Sequence, residues 1–293
     1  MNTKQKYNKG SVTSKDGTVI GYRQLGSGPG IIIMHGGISS SQYYLKFGAA
    51  LSNDFTVYIP DRRGRGLSGP FGDNYGLPRE VEDLDALLKK TGAQYIFGAS
   101  SGGLISKQTS INSPDIHKIA VYEPVVYADK SEMDKFNASV QHFDKELSEG
   151  KKVTAMVNIA KSEEHPGAFF KLPDFIMKIF FKLVLLQDER SIKDDDVTIE
   201  DLMPTLKFDV QLVNETEGKL DNFKNVQAEV LLMGGSKSSL FLKHSLKTLE
   251  KLLPHVKRIE LQGLDHDSAQ DYGKPEIIAQ ETKSFYKEDI TKE

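Results

Sequence analysis

A glycine-rich hexapeptide between a strand-like run and a helix-like run constrains this chain more than any other feature. Residues 98–103 read Gly-Ala-Ser-Ser-Gly-Gly and follow the β-like run Gln94–Phe97, with the apolar residues Leu104 and Ile105 next. A G-x-S-x-G pattern at a strand-to-helix turn is typical of a sharp bend that holds a serine hydroxyl above the end of a sheet. Small neighbours suit this bend because a larger side chain would collide with the adjacent strand or helix. We therefore predict that Ser100 is a nucleophile, with an ordinary Gly/Ser turn as the alternative.

The runs around this turn predict an α/β fold. Strand-like and helix-like patterns alternate as far as Glu123, which predicts βαβ units and a parallel sheet. Near the start of the chain, Ser11–Ser14 and Thr18–Leu25 alternate like the two strands of a hairpin, with Asp16 and Gly17 at its turn.

The alternation stops after Pro124. Residues 125–217 show helical periodicity and no convincing buried strand, and a strand pattern returns only at Ala228–Met233. We therefore expect an α/β core built from residues 1–124 and 218–293, with residues 125–217 inserted as a helical cap.

Two further segments have the composition that a hydrolytic site needs. The apolar run Ile31–Met34 ends in the loop His35–Gly37, whose glycines can aim backbone N–H groups at a developing oxyanion. The second expected N–H donor is Ser101, the residue after the predicted nucleophile. His35 is expected to shape the loop and not to transfer protons. Late in the chain, a loop after a strand-like run carries His266, where chain order predicts the general base.

Together these motifs resemble the α/β-hydrolase fold superfamily. They occur in order as H-G-G at 35–37, D-x-R-G-x-G-x-S at 61–68, G-x-S-x-G-G at 98–103, and a late histidine. The resemblance covers about residues 12–124 and 225–285. It implies a mostly parallel sheet flanked by helices, with an inserted helical cap. It also implies a mainly structural role for 61–68 and assigns four site residues: Ser100 as nucleophile, His266 as general base, and Gly37 and Ser101 as oxyanion-hole donors.

The chain departs from this family at the position of the acid. The superfamily usually carries a carboxylate just after the strand that here spans Ala228–Met233, yet no Asp or Glu occurs between Glu229 and Glu250. Lys237 and Ser238 stand where the acid is expected. A serine cannot stabilise an imidazolium by charge, so either another carboxylate serves or the activity is weak or absent.

Glu123 is the best substitute for this acid. It ends the run Lys118–Glu123, after the helix that follows Ser100, and some superfamily members carry their acid on this strand. Sites in open α/β sheets lie beyond the carboxyl ends of the strands. We predict Glu123 as the acid, with a loop-capping or salt-bridging glutamate as the alternative; Asp265 and Asp267 rank lower because sequence neighbours rarely face the same ring.

Composition excludes several other classes of function. The chain has 293 residues, no cysteine and a formal net charge of −3, which gives no electrostatic case for binding nucleic acid. Phe175–Leu186 is too short to span a membrane and contains lysines. The basic N-terminus is not followed by an apolar segment, so we expect no signal peptide. Part of the apolar stretch Phe169–Leu186 must face the core, with a stripe that lines the substrate pocket as the alternative. Asp194–Asp196 is expected to form a solvated loop, with a metal site as the alternative.

These observations favour a cytoplasmic serine hydrolase without a cofactor or metal, acting on a small molecule. We expect a small or medium carboxylic ester as substrate and an acyl-enzyme as intermediate; a thioester, lactone, amide or carbon–carbon bond remains open. The alternative is a catalytically silent ligand-binding or regulatory protein on the same fold. The sequence predicts no partner beyond the substrate, no membrane insertion, and no particular oligomeric state.

Overall fold

The architecture is an eight-stranded sheet with helices on both faces. A computed structural model describes residues 6–113, 115–162 and 167–290. The expectation that the chain has no signal peptide concerns an N-terminus whose first five residues lie outside the described ones. The sheet order is β1-β2-β4-β3-β5-β6-β7-β8. The strands are β1 (Asn8–Thr13), β2 (Val19–Gly26), β3 (Gly30–Met34), β4 (Thr56–Pro60), β5 (Tyr95–Ala99), β6 (Lys118–Tyr122), β7 (Glu229–Gly235) and β8 (Val256–Leu261).

Strand directions confirm the predicted fold class. β1 pairs antiparallel with β2, and β2 antiparallel with β4, whereas all pairs from β4 to β8 across the sheet are parallel. Gly17 turns the β1–β2 hairpin with a φ of 90°, a left-handed conformation that glycine adopts without steric cost. The sheet is therefore mostly parallel, with an antiparallel hairpin at one edge.

Helices cover the sheet and also fill the connection between β6 and β7. They are α1 (Leu45–Leu51), α2 (Leu77–Thr91), α3 (Ser101–Ser110), α4 (Lys130–Ser148), α5 (Lys152–Lys161), α6 (Asp174–Ser191), α7 (Ile199–Leu202), α8 (Leu206–Asn214), α9 (Leu240–Leu252) and α10 (Pro275–Ile290). Side chains alternate along β3, so that Ile32 packs with α2, α3 and α9 on one face while Ile31 and Ile33 pack with α1 and α10 on the other. The central strands are thus buried on both faces, as parallel strands are.

Register brings the ends of neighbouring strands to one edge. Ala99 of β5 lies opposite Tyr122 of β6, and Tyr122 opposite Met233 of β7. The next residues along β5 and β6, Ser100 and Glu123, therefore lie side by side at the carboxyl edge of the sheet, where open α/β sheets place their sites.

The inserted segment contains helices α4 to α8 and no strand among its described residues. The structure refines two sequence expectations for this segment. Along α6 only Met177, Leu185 and Asp188 are buried, whereas six large apolar side chains are exposed: Phe175, Ile176, Ile179, Phe180, Leu183 and Leu186. Asp194 and Asp195 are exposed, as expected of a solvated loop, and Asp195 pairs with Lys9 at the sheet edge. Asp196 is half-buried and pairs with the buried Arg23 at 2.8 Å. Helical periodicity alone could not tell which side of α6 faces the core.

Across the part of the chain that the structure describes, no helix has the length and apolar character needed to cross a membrane.

Candidate active site

Ser100 occupies a strained turn between β5 and α3. Its backbone has φ 53° and ψ −123°, and its N–H donates to the carbonyl of Tyr122 at 3.0 Å. Space around the turn is minimal: a Cβ on Gly98 would lie 2.7 Å from the Gly102 carbonyl oxygen, and one on Gly102 would lie 2.3 Å from that of Met34. The glycines of G-x-S-x-G are therefore required sterically. The turn holds Ser100 in a backbone conformation that non-glycine residues rarely adopt.

Glu123 presents a fully buried carboxylate at the end of β6. Its backbone also has a positive φ, 46°, and its N–H donates to the Met233 carbonyl at 2.9 Å. One carboxylate oxygen, Oε1, accepts hydrogen bonds from the Gly235 N–H at 2.6 Å and from the Ser238 hydroxyl. The other, Oε2, lies 2.8 Å from Nδ1 of His266. Both carboxylate oxygens thus have hydrogen-bond partners, and these neighbours hold the group toward the histidine.

The side chain of Ser238 is a hydrogen-bond partner of Glu123. It stands where the superfamily usually carries its acid, and its hydroxyl donates to Glu123. The serine therefore helps to hold the carboxylate of Glu123 in place.

His266 begins a short 3₁₀ turn, His266–Ala269, beyond β8. Its side chain is 34% exposed, in contrast to the fully buried carboxylate of Glu123. Because a carboxylate only accepts, the hydrogen bond assigns the proton of the neutral ring to Nδ1 and the lone pair to Nε2. Asp265, one of the lower-ranked acids, accepts from the Ser268 hydroxyl at 2.6 Å as part of a capping box. The geometry thus joins His266 to Glu123, while Asp265 serves the turn.

His35 holds the H-G-G loop through both ring nitrogens. Nδ1 lies 2.9 Å from the Gly36 carbonyl oxygen, and Nε2 accepts the backbone N–H of Arg62 at 3.1 Å. Complete burial, together with the charges of Arg65 and Arg62, keeps the pKa of His35 well below its ordinary value, so the ring is neutral. A Cβ on Gly36 would lie 2.7 Å from Cβ of Ser100, which places the loop directly against the serine.

A buried charge cluster lies behind the two expected oxyanion-hole residues. The guanidinium of Arg62 pairs with Glu80 at 2.8 Å and with Asp209 of α8 at 2.6 Å. Arg65 also pairs with Asp209 at 2.6 Å, and the hydroxyl of Ser101 donates to the same carboxylate at 2.6 Å. Sequence reasoning missed this cluster; the run of arginines in the D-x-R-G motif was its one visible signal, and nothing in α8 indicated the partner.

The rest of that motif is structural. The fully buried carboxylate of Asp61 accepts the backbone N–H groups of Ser41 at 2.6 Å and Leu67 at 2.9 Å. It also pairs with Arg23 at 3.2 Å. Asp61 therefore fixes the loops after β3 and β4.

Comparisons with known proteins agree with this architecture. A family model described as serine aminopeptidase S33 matches residues 29–271. A solved α/β-hydrolase from Sphaerobacter thermophilus superposes with a TM-score of 0.68 at 23% identity, over 92% of this chain and 99% of that one.

Two similar proteins are described as hydrolases. The chain is 22% identical over 247 residues to 2-(acetamidomethylene)succinate hydrolase of Mesorhizobium japonicum, covering 83% of this chain and 84% of the relative. It is 32% identical over 115 residues to the uncharacterized hydrolase YraK of Bacillus subtilis, over 38% of this chain and only 42% of YraK. Because the family model covers most of the sequence, the chain belongs to the serine aminopeptidase S33 family of α/β-hydrolases and is a hydrolase enzyme.

Proposed function

We propose that the protein is a serine hydrolase that cleaves a small or medium carboxylic ester through an acyl-enzyme. The observation that carries this proposal is the 2.8 Å hydrogen bond between the buried Glu123 carboxylate and the His266 ring, at the sheet edge that also bears Ser100. A buried acid, a partly exposed imidazole and a serine on a strained turn are the parts that nucleophilic acyl transfer requires.

In the proposed mechanism, Oγ of Ser100 attacks the carbonyl carbon and gives its proton to Nε2 of His266. Glu123 stabilises the resulting imidazolium, and the N–H groups of Gly37 and Ser101 donate to the oxyanion. The intermediate collapses as His266 returns the proton to the departing alkoxide, which leaves as an alcohol. Water then attacks the acyl-enzyme by the same route, releasing the acid and restoring Ser100.

The glutamate also bears on the silent-binder alternative. That alternative was motivated by the missing carboxylate after β7, and Glu123 supplies a carboxylate from β6 in contact with the histidine. The arrangement supports catalysis. Thioester, lactone, amide and carbon–carbon cleavage use the same groups, so the choice of an ester rests on the simplest substrate for this machinery.

Apolar side chains next to the oxyanion loop favour a substrate with an apolar group. Ile38, directly after Gly37, packs in a small cluster between the loop and the inserted helices, whose members include Met156, Ile159, Met203 and Leu206. We propose that residues 125–217 act as a lid over the site and that this cluster contacts the acyl or alkyl part of the substrate.

Covalent labelling tests the proposal. A fluorophosphonate reacts with an activated serine, so intact-mass and peptide mass spectrometry should locate one adduct on Ser100 of the native protein and none in Ser100→Ala. His266→Ala should slow labelling by orders of magnitude. An unlabelled native protein, or full labelling of Ser100→Ala, would reject Ser100 as the nucleophile.

A further inference from the structure

The inserted helices contribute one carboxylate, Asp209 of α8, to the wall of the proposed oxyanion hole. We infer that Asp209 is a positioning residue, which fixes the two backbone N–H donors of that hole and makes their geometry depend on the docking of the inserted helices. The inference rests on the proposed serine mechanism, and nothing in the motifs or the comparisons assigns a role to this residue.

The first contact is with Ser101. Its backbone N–H is the proposed donor, and a donor of this kind needs no particular side chain. Its hydroxyl nevertheless donates to Oδ1 of Asp209 at 2.6 Å and accepts from Nη1 of Arg62 at 3.0 Å, and all three side chains are buried. The first residue of α3 is therefore held by a carboxylate from the inserted segment.

The second contact is with the H-G-G loop. A Cβ on Gly37 would lie 3.3 Å from Cγ and Oδ2 of Asp209, so the carboxylate is packed against the other proposed donor. Asp209 also acts through Arg62, whose Nη1 lies 2.6 Å from Oδ1 and 3.4 Å from the carbonyl oxygen of His35. The residues of both proposed donors, Gly37 and Ser101, therefore contact Asp209, and the guanidinium of Arg62 links Asp209 to the H-G-G loop as well.

Charge explains why a carboxylate is needed there. Two guanidiniums, Arg62 and Arg65, converge on Asp209, each at 2.6 Å. Arg62 has Glu80 as a second carboxylate partner, whereas Arg65 also makes a 3.4 Å contact with the hydroxyl of Thr205. The guanidiniums lower the pKa of Asp209 to about 2 despite its burial, so the group stays ionised at neutral pH. An uncharged side chain would leave two like charges facing each other in the protein interior.

The test compares three single variants of the full chain. Asp209→Asn keeps the shape but must turn its NH₂ group toward an arginine, and Ser101→Ala removes the hydroxyl while keeping the backbone donor. Glu215→Gln is the matched control, since Glu215 caps the same helix and accepts the Leu77 N–H at 2.8 Å without contacting the loop. Kinetics with a p-nitrophenyl ester are paired with inhibition by a trifluoromethyl ketone, which forms an oxyanion when Ser100 adds to it.

We expect Asp209→Asn to lower kcat about 10- to 100-fold with KM within about twofold, and to weaken ketone inhibition by the same factor. Ser101→Ala should lose about 10-fold in kcat and in the strength of ketone inhibition. The double variant should resemble Asp209→Asn because the two groups act as a unit. Glu215→Gln should keep both constants. If Asp209→Asn does not fold, Ser101→Ala, which leaves both arginine pairs intact, carries the test.

A folded Asp209→Asn or Ser101→Ala with native kcat and native ketone inhibition would overturn the inference, as would equal losses in Glu215→Gln. Hydrogen exchange of residues 35–37 and 101–103 provides a readout that needs no activity, and it should quicken in Asp209→Asn but not in Glu215→Gln. A native protein inert to fluorophosphonate would reject the proposed function alone; unchanged exchange in Asp209→Asn would reject the positioning role.

Discussion

At the scale of single residues, the site is marked by backbone strain. Five described non-glycine residues have a positive φ: Ile38, Asn74, Ser100, Glu123 and Asp194. Three of them, Ile38, Ser100 and Glu123, lie shortly beyond the ends of the neighbouring strands β3, β5 and β6. Each such conformation costs about 1–3 kcal/mol and persists only where the surroundings enforce it. Their concentration at one sheet edge is what a site that aims side chains at a common point requires.

His35 provides a residue-scale prediction about pH and stability. Its folded pKa is depressed by burial and by two guanidiniums, whereas the unfolded ring titrates near the ordinary value of about 6.5. Below that pH the unfolded chain binds a proton at His35 that the native protein does not bind. The contribution of His35 to the free energy of unfolding is therefore fully present above about pH 6.5 and is lost as the pH falls.

The expected size is about 1.4 kcal/mol per pH unit for one proton. Urea unfolding of the native protein and of His35→Asn at several pH values from 5 to 7 gives the free energy of unfolding as a function of pH. Below about pH 6 the slopes of these two plots should differ by about this amount, with the variant flatter. Identical slopes would mean that His35 accepts a proton in the folded state.

At the scale of secondary structure, predictability followed burial. The apolar run Ile31–Met34 coincides with β3 to within one residue, because a strand buried on both faces is apolar throughout. The sequence shows a strand-like run before His266 only at Arg258–Leu261, whereas β8 begins at Val256, because its exposed edge position carries polar residues that hide the pattern.

The same reasoning accounts for what was predicted at the site and what was not. Chain order and the carboxyl-edge rule predicted Ser100, Glu123 and His266 at one edge of the sheet, since all three follow recognisable strands. Of these, Glu123 and His266 are in contact at 2.8 Å. Asp209 was missed because its partner Arg62 is 147 positions away and its helix carries no distinctive pattern. Long-range pairs of charges depend on how helices dock, which local periodicity does not encode.

Helix α6 gives a prediction at this scale. Met177 is fully buried and Leu185 is 7% exposed, whereas Ile179 and Leu183 on the other side are 59% and 61% exposed. Truncating Met177 or Leu185 to alanine should lower the free energy of unfolding by about 2–5 kcal/mol. Ile179→Gln and Leu183→Gln should change it by no more than about 0.5 kcal/mol.

Urea denaturation of the four α6 variants measures these differences. Comparable losses in the inward and outward pairs would show that α6 faces the protein differently from the orientation described above.

At the scale of the whole molecule, the inserted helices and the sheet share one interior. Val126 and Met133, just after β6, and Leu212 and Val213 of α8 belong to the same apolar cluster as Ile32 of β3. Buried charge pairs join the two parts as well, since Arg62 meets Asp209 and Arg23 meets Asp196. Residues 125–217 therefore complete the core on one face of the sheet.

Removing that segment should disrupt the fold. A chain in which a short Gly-Ser linker replaces 125–217 would expose the apolar face that α8 covers and leave Arg65 without its carboxylate. We expect aggregation or loss of cooperative unfolding, measured by size-exclusion chromatography and thermal melting. A monomeric, cooperatively folded core would instead mean that the insertion is dispensable for stability and acts only at the site.

The replacement of the usual acid by Glu123 is the central claim, and the turnover number of Glu123→Gln tests it most directly. An amide can hold the imidazole but cannot stabilise its charged form, so kcat for a p-nitrophenyl ester should fall about 10³- to 10⁴-fold while the fold is kept. Ser238→Ala is the matched control: it removes one hydrogen bond to the same carboxylate and should cost about 10-fold or less. A folded Glu123→Gln enzyme with kcat within about 10-fold of the native value would contradict the account, because His266 would then work without the charge of Glu123.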